Sequence, residues 1–273
     1  MRTKPRKLSR LLCIFSLTVF IIVSWILVNP SLYLYSRGSA QIEHISLEQG
    51  LSQSSVYCIL QGSNGFLWFA TEEGLNRYDG YNFKVYKRDP GNPNSLADDW
   101  IWTMIEHPDG VLWLGTNGGG LNKFDLEKET FINYQTIPGN PRSLSNNIVY
   151  AICVDPNSML WVGTANGLNR FDPIGETFKR YRADPNTPGS LNQNEVRTIY
   201  TDRVGTLWVG TSGGGLNKFE PKNETFTCYT SEPFNEKSLS HNFVRCIYED
   251  RFGTLWIGTE GGGLNQFDRE KGE

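Results

Sequence analysis

Few residues in this chain could do bond-making chemistry. The three histidines, His44, His107 and His241, are far apart and share no metal-ligand spacing with Cys58, Cys153, Cys228 or Cys246. Zinc sites draw their ligands from closely spaced pairs, so no metal and no cofactor is expected. These positions assemble no Ser-His-Asp or Cys-His set, and nucleophilic catalysis therefore has no candidate. The glycine triplets Gly118–Gly120, Gly213–Gly215 and Gly261–Gly263 could suggest phosphate cradles. Such loops need a following helix to supply backbone donors, and no helical apolar spacing follows them.

What stands out instead is a cluster of aromatic, amide and charged residues. Trp100 and Trp102 lie beside Asp98 and Asp99, and Tyr57, Tyr150, Arg197 and Arg245 occupy equivalent places elsewhere in the chain. Aromatic faces next to amides, carboxylates and guanidinium groups suit a polyhydroxylated ligand.

That equivalence comes from an internal repeat. Gly110–Asp125 (GVLWLGTNGGGLNKFD) recurs with small changes from Gly65, Ser158, Gly205 and Gly253. Its tryptophans, Trp68, Trp113, Trp161, Trp208 and Trp256, are spaced 45 to 48 residues apart. Upstream of each copy lie a leucine (Leu51, Leu96, Leu144, Leu191, Leu239) and a β-branched residue (Val56, Ile101, Val149, Val196, Val244). Within one repeat, Ile101–Glu106, Leu112–Thr116, Leu121–Asp125 and Phe131–Gln135 read as four short strands separated by turn signals. The Asp-x-x-Gly pattern and the glycine triplets then read as strand turns.

Four antiparallel strands at this period describe one blade of a β-propeller. The expected fold is all-β, with five four-stranded blades at about 50–90, 91–138, 139–185, 186–233 and 234–273. Identical placement of the five tryptophans assigns them to packing between blades. Residues that vary from blade to blade are the better binding candidates. In a four-stranded blade, the loop between strands two and three shares a face with the loop joining one blade to the next. That face gathers Asp99, Trp100, Asn147, Asn194, Glu195, His241 and Asn242. Tyr57, Trp102, Tyr150, Arg197 and Arg245 form a ring at the tops of the inner strands, around the central channel.

The N-terminus is different in kind. Residues 1–10 are basic, and Leu11–Val28 is a run of eighteen uncharged residues. This reads as a transmembrane signal anchor, with 29–41 as a linker and 42–273 outside the cytoplasmic membrane in a single-pass arrangement. Removing the six basic residues of positions 1–40, which hold no acid, leaves 20 Lys and Arg against 29 Asp and Glu, a net charge of −9. An acidic surface argues against nucleic acid as a partner. Cys58, Cys153 and Cys246 fall on inner strands, where cysteine is expected to be a small buried residue.

Two closures are open. Ile42–Leu47 could complete the fifth blade and close a five-bladed ring. Alternatively the chain is the leading piece of a longer, seven-bladed protein. The break at Lys271–Glu273, inside a predicted turn, favours the second.

The phrase carried by Asn64–Asp79, Asp109–Asp125, Asn157–Asp172, Arg203–Glu220 and Arg251–Asp268 resembles the two-component regulator propeller repeat. The loops Ser143–Asn147 and Ser238–Asn242, and the opening Gly50–Val56, share the likeness. The resemblance covers residues 42–268. It implies the periplasmic sensor region of a membrane-bound histidine kinase or diguanylate cyclase, a seven-bladed ring often in tandem, oligosaccharide signals and a homodimeric receptor. The chain departs from that pattern in having five repeats, no second membrane segment and no kinase domain, so it implies sensing and not phosphotransfer. Two further readings stand beside it: a propeller scaffold for protein–protein contact without a small ligand, and, more remotely, a propeller lyase or hydrolase.

Overall fold

The computed structural model describes residues 42–269 and 271, and residues from Ile45 onward form one unit. The anchor expected at 11–28 lies outside the described residues. Among those described, no helix is long and apolar enough to cross a membrane.

Among the described residues, nineteen strands make five antiparallel sheets. The first blade holds β1 (Val56–Gln61), β2 (Leu67–Thr71), β3 (Gly74–Tyr78) and β4 (Phe83–Tyr86). The second holds β5 (Ile101–Glu106), β6 (Val111–Thr116), β7 (Leu121–Asp125) and β8 (Thr130–Tyr134). The third runs through β9 (Val149–Val154), β10 (Leu160–Thr164), β11 (Gly167–Asp172) and β12 (Thr177–Tyr181). The fourth is β13 (Val196–Thr201), β14 (Leu207–Thr211), β15 (Leu216–Glu220) and β16 (Thr225–Tyr229). The fifth has three strands among the described residues, β17 (Val244–Glu249), β18 (Leu255–Thr259) and β19 (Gly263–Phe267), not the expected four. Ile42–Leu47 does not supply the missing one. Residues 42–46 are irregular, and Leu47–Gln49 is a 3-10 turn capped by Ser46.

The hydrophobic cores lie between blades. Trp68, Leu75 and Tyr86 of the first blade form one cluster with Met104, Leu112 and Phe124 of the second. Clusters of the same kind join the second blade to the third, the third to the fourth and the fourth to the fifth. Each junction repeats one aromatic arrangement, in which a tryptophan meets the next blade's phenylalanine edge-on. The centroid distances are 5.9 Å for Trp68–Phe124, 5.3 Å for Trp113–Phe171, 5.0 Å for Trp161–Phe219 and 5.3 Å for Trp208–Phe267. Edge-to-face pairs contribute about 0.5–1.5 kcal/mol each beyond their burial. The repeated tryptophans therefore pack, as expected. The Gly-Thr of the motif is also an interface feature. A Cβ on Gly163 would stand 2.6 Å from Cγ1 of Val196 on the following blade's inner strand.

The two end blades do not cover each other, so the described blades form an open arc, not a closed five-bladed ring. Ile59 of the first blade is 63% exposed, whereas its equivalents Met104, Ile152, Ile199 and Ile247 are buried. Leu264 of the fifth is 65% exposed, and Leu75, Leu121, Leu168 and Leu216 are fully buried.

Buried polar residues fix the loops between blades. Asn76, Asn122, Asn169 and Asn217 have no exposed surface. Their side-chain oxygens accept from the backbone N–H of Ser52, Ala97, Ser145 and Asn192 at 2.9–3.1 Å. At the opposite end, Asp155, Asp202 and Asp250 accept from the indole N–H of Trp161, Trp208 and Trp256 at 2.9–3.0 Å. Their other oxygens close the turn on backbone N–H groups, the role expected of the Asp-x-x-Gly turns at Asp202 and Asp250, and kept at Asp155 with Ser158 in the glycine's place.

The cysteines depart partly from expectation. Cys58 and Cys153 are half-buried, and desolvation pushes both thiols up from their usual value. Cys246 is exposed, contrary to the buried position expected of it, because it lies on the fifth blade, beyond which no further described blade packs.

Candidate functional site

Every inner strand carries a β-bulge near its start. Val56 pairs with Thr71 and Cys58 with Ala70, leaving Tyr57 as the extra residue. The extra residue is Trp102 in the second blade, Tyr150 in the third, Arg197 in the fourth and Arg245 in the fifth. A bulge re-aims a side chain out of the normal alternation. The backbone device is the same in all five blades, while the side chain it presents is a tyrosine, a tryptophan, a tyrosine and then two arginines.

These side chains meet. Tyr57 packs edge-on against Trp102 with centroids 4.8 Å apart, and Trp102 lies 5.0 Å from Trp100 and 5.8 Å from Tyr150. The Arg197 guanidinium lies 3.9 Å over the Tyr150 ring and 5.6 Å from Phe243, which Arg245 approaches at 4.9 Å. A continuous aromatic and guanidinium ribbon thus crosses all five blades. Guanidinium stacking on aromatic faces holds each arginine in one plane.

Polar partners brace the ribbon from the turns between second and third strands. Tyr57 donates to Glu72, and this carboxylate raises the phenol pKa above its ordinary value. Trp102 Nε1 donates to Asn117 Oδ1 at 3.1 Å, and Arg245 pairs with Glu260 at 2.8 Å. Arg197 differs, pairing with Glu195 of the loop just before its own strand.

The other expected residues reach the same face but have structural work there. Asp99, Asn147, Asn194 and Asn242 each accept, through a side-chain oxygen, from the backbone N–H of Arg88, Thr136, Ala183 and Ser231. Their carbonyls accept from Gly74, Gly120, Gly167 and Gly215 of the preceding blade at 2.7–2.9 Å. These four therefore clip adjacent blades, and the three asparagines use only their side-chain oxygens in doing so. His241 Nδ1 accepts from Phe243 N at 3.1 Å, which ties up that nitrogen. Among the described residues no group of His, Cys, Asp or Glu is arranged to hold a metal ion.

Sequence reasoning missed Phe243, which bridges the two arginines. The signal was present, since Phe243 stands in the repeat position of Trp100, directly before the first residue of its inner strand. It also missed Glu72, Asn117 and Glu260, which share one turn position just after the Gly-Thr or Ala-Thr of each motif.

Five repeated blades around inner strands, with a varied ring on one face, define a β-propeller built from a single repeat. The repeats belong to the two-component regulator propeller family, whose model matches residues 50–73, 95–118, 143–166, 190–213 and 238–261. The extracellular domain of a hybrid two-component system of B. thetaiotaomicron superposes with a TM-score of 0.74 at 32% identity, over 85% of this chain and 31% of that one. A histidine kinase of Formosa agariphila, Histidine kinase P4, is 48% identical over 48 residues, 18% of this chain and 4% of that protein. The chain thus spans less than a third of either relative. Virginiamycin B lyase of Staphylococcus aureus matches with a TM-score of 0.54 at 17% identity, over 78% of this chain and 69% of the lyase. At that identity the likeness shows a shared propeller fold and nothing of its chemistry.

Proposed function

We propose that this propeller is the ligand-sensing, extracytoplasmic part of a membrane-anchored two-component sensor. It binds an oligosaccharide or a similar polyhydroxylated molecule along the ribbon from Tyr57 to Arg245. Leu11–Val28 anchors the chain in the cytoplasmic membrane in a single pass, and the receptor works as a dimer. The observation that carries the reading is the ribbon itself. Its residues break the repeat, sit on a bulge in every blade and expose aromatic faces beside amides. Packing alone accounts for the residues that recur unchanged, not for a ring that differs from blade to blade.

Likeness to an extracellular domain of a hybrid two-component system supports the sensing role. The recognition step needs no covalent chemistry from these residues. Aromatic faces cover the apolar faces of sugar rings, while amides and paired arginines exchange hydrogen bonds with hydroxyls. The test is tryptophan fluorescence of the propeller titrated with a panel of neutral and acidic oligosaccharides. A saturable change that disappears in Trp100→Ala and Trp102→Ala is the expected result. Silence across the whole panel, with the propeller folded, counts against it.

A further inference from the structure

Most cations on this acidic domain have a carboxylate partner. Arg77 and Lys84 share Glu129, Arg170 and Lys179 share Glu224, Lys87 has Glu73, and Arg269 has Asp202 and Glu249. Arg180 and Arg182, at the end of the third blade's outer strand, do not follow this pattern. Arg180 donates through Nε to Ser143 O at 2.7 Å, and through Nη2 to Asn140 O, Ser143 Oγ and Leu144 O at 2.8–3.0 Å. Arg182 donates to Asn166 O at 3.2 Å and Ser145 O at 3.4 Å. These acceptors are uncharged, so both guanidinium groups are oriented but not neutralised, and the second Nη of each has no protein partner. Burial and the neighbouring Arg182 push the Arg180 pKa down from its usual value.

The two arginines line a groove of about 740 Å³ together with Asn146, Asn147 and Asn166. No carboxylate lines it. The Asn147 amide nitrogen is free to donate, since that side chain uses only its oxygen within the protein. The groove is therefore rich in donors and lacks anionic acceptors. It also breaks the repeat, because Val85, Asn133 and Cys228 hold the register position of Arg180 in the other blades.

We propose that this groove is an anion site, which takes the carboxylate or sulfate group of an acidic saccharide across Arg180 and Arg182. The guanidinium fork matches both groups geometrically. As to what carries the anion, the proposal rests on the saccharide reading above. As to the anion itself, it does not.

Arg182→Gln is the informative variant, because Arg182 is exposed and makes only two long contacts, whereas Arg180 braces a loop. Calorimetry on the propeller would compare trigalacturonate, galactose 6-sulfate, inorganic sulfate and neutral maltotriose, with the arginine Nε–H resonances followed by NMR. The expected result is that an acidic saccharide binds more tightly than inorganic sulfate and shifts the Arg182 resonance. Arg182→Gln should weaken it about ten-fold or more, as loss of a charge-assisted hydrogen bond does, with melting unchanged. Equal affinity for inorganic sulfate and the acidic saccharides overturns the saccharide assignment. Equal affinity in wild type and Arg182→Gln, or no arginine shift with any anion, overturns the site. Tryptophan fluorescence separates the two readings. A maltotriose response retained in Arg182→Gln leaves the ribbon proposal standing when the anion site fails. An arginine shift with no tryptophan response to any sugar sinks the ribbon alone.

Discussion

Glu129, on the turn leading into the second blade's outer strand, accepts a hydrogen bond from Tyr86 of the first blade at 2.8 Å. The same carboxylate takes Arg77 at 3.0 Å and also meets Lys84. Glu224 repeats the arrangement with Tyr181, Arg170 and Lys179, and Glu176 accepts from Tyr134 at 3.0 Å. All three glutamates sit at positive φ, 49–54°, a conformation that favours glycine. The clasp between blades is made against local backbone preference.

Glu129→Gly should therefore be milder than Glu129→Ala. Glycine gives up the clasp but relieves the left-handed backbone, a conformation that costs an L side chain about 1–2 kcal/mol. Alanine gives up the clasp without that gain. Thermal melting of both variants checks the order.

The clasp has a pH signature. Hydrogen bonds from Lys84 first, then from Tyr86, hold the Glu129 carboxyl below its ordinary 4.5. A depressed folded value stabilises fully above the unfolded value, and the stabilisation is lost as pH falls through the folded one. The melting difference between wild type and Glu129→Gln should be constant near neutrality and close below about pH 4. A difference that widens on acidification would contradict the assignment.

Gly163→Ala should destabilise by about 1–3 kcal/mol, because its new methyl meets Val196 of the next blade. Val196→Ala on the same background should recover part of that loss. Denaturant unfolding of the two single variants and the double variant gives the coupling directly.

Asn169→Ala removes the acceptor for Ser145 N at 3.0 Å and the donor to Val162 O at 3.1 Å, both fully buried. A loss of about 1–3 kcal/mol follows from leaving such groups unpaired. Faster amide exchange at Ser145, with little change at Val56, would localise the effect to the loop that this asparagine holds.

Arg197→Lys keeps a cation beside Glu195 but removes the planar stack 3.9 Å over Tyr150. Melting should barely change. Oligosaccharide affinity read by tryptophan fluorescence should fall several-fold, because lysine does not reproduce stacking or the planar donor fork.

The strands were readable to within a residue, because turns punctuate apolar runs and five copies average out local ambiguity. Ile101–Glu106 and Leu121–Asp125 fall where the pattern places them. The ring from Tyr57 to Arg245 was readable as well, since those residues vary while their neighbours recur. The bulge that presents them was not, because its mark is slight: the buried Ile101 and Met104 stand three apart where unbroken alternation would put them two or four apart. Cys246 was misjudged for a related reason: its position predicts burial only where another blade follows. Arg180 and Arg182 escaped because their significance lies in the lack of a nearby carboxylate, which only the folded arrangement reveals.

Placing each core at a junction gives every blade one leading and one trailing surface, and the two differ. An inserted copy would meet on each side the surface its neighbours already present, so duplication lengthens the arc without new contacts having to evolve. Trp100, Phe243 and the bulge residues from Tyr57 to Arg245 take no part in those apolar cores, and they are free to vary while the scaffold keeps its rhythm.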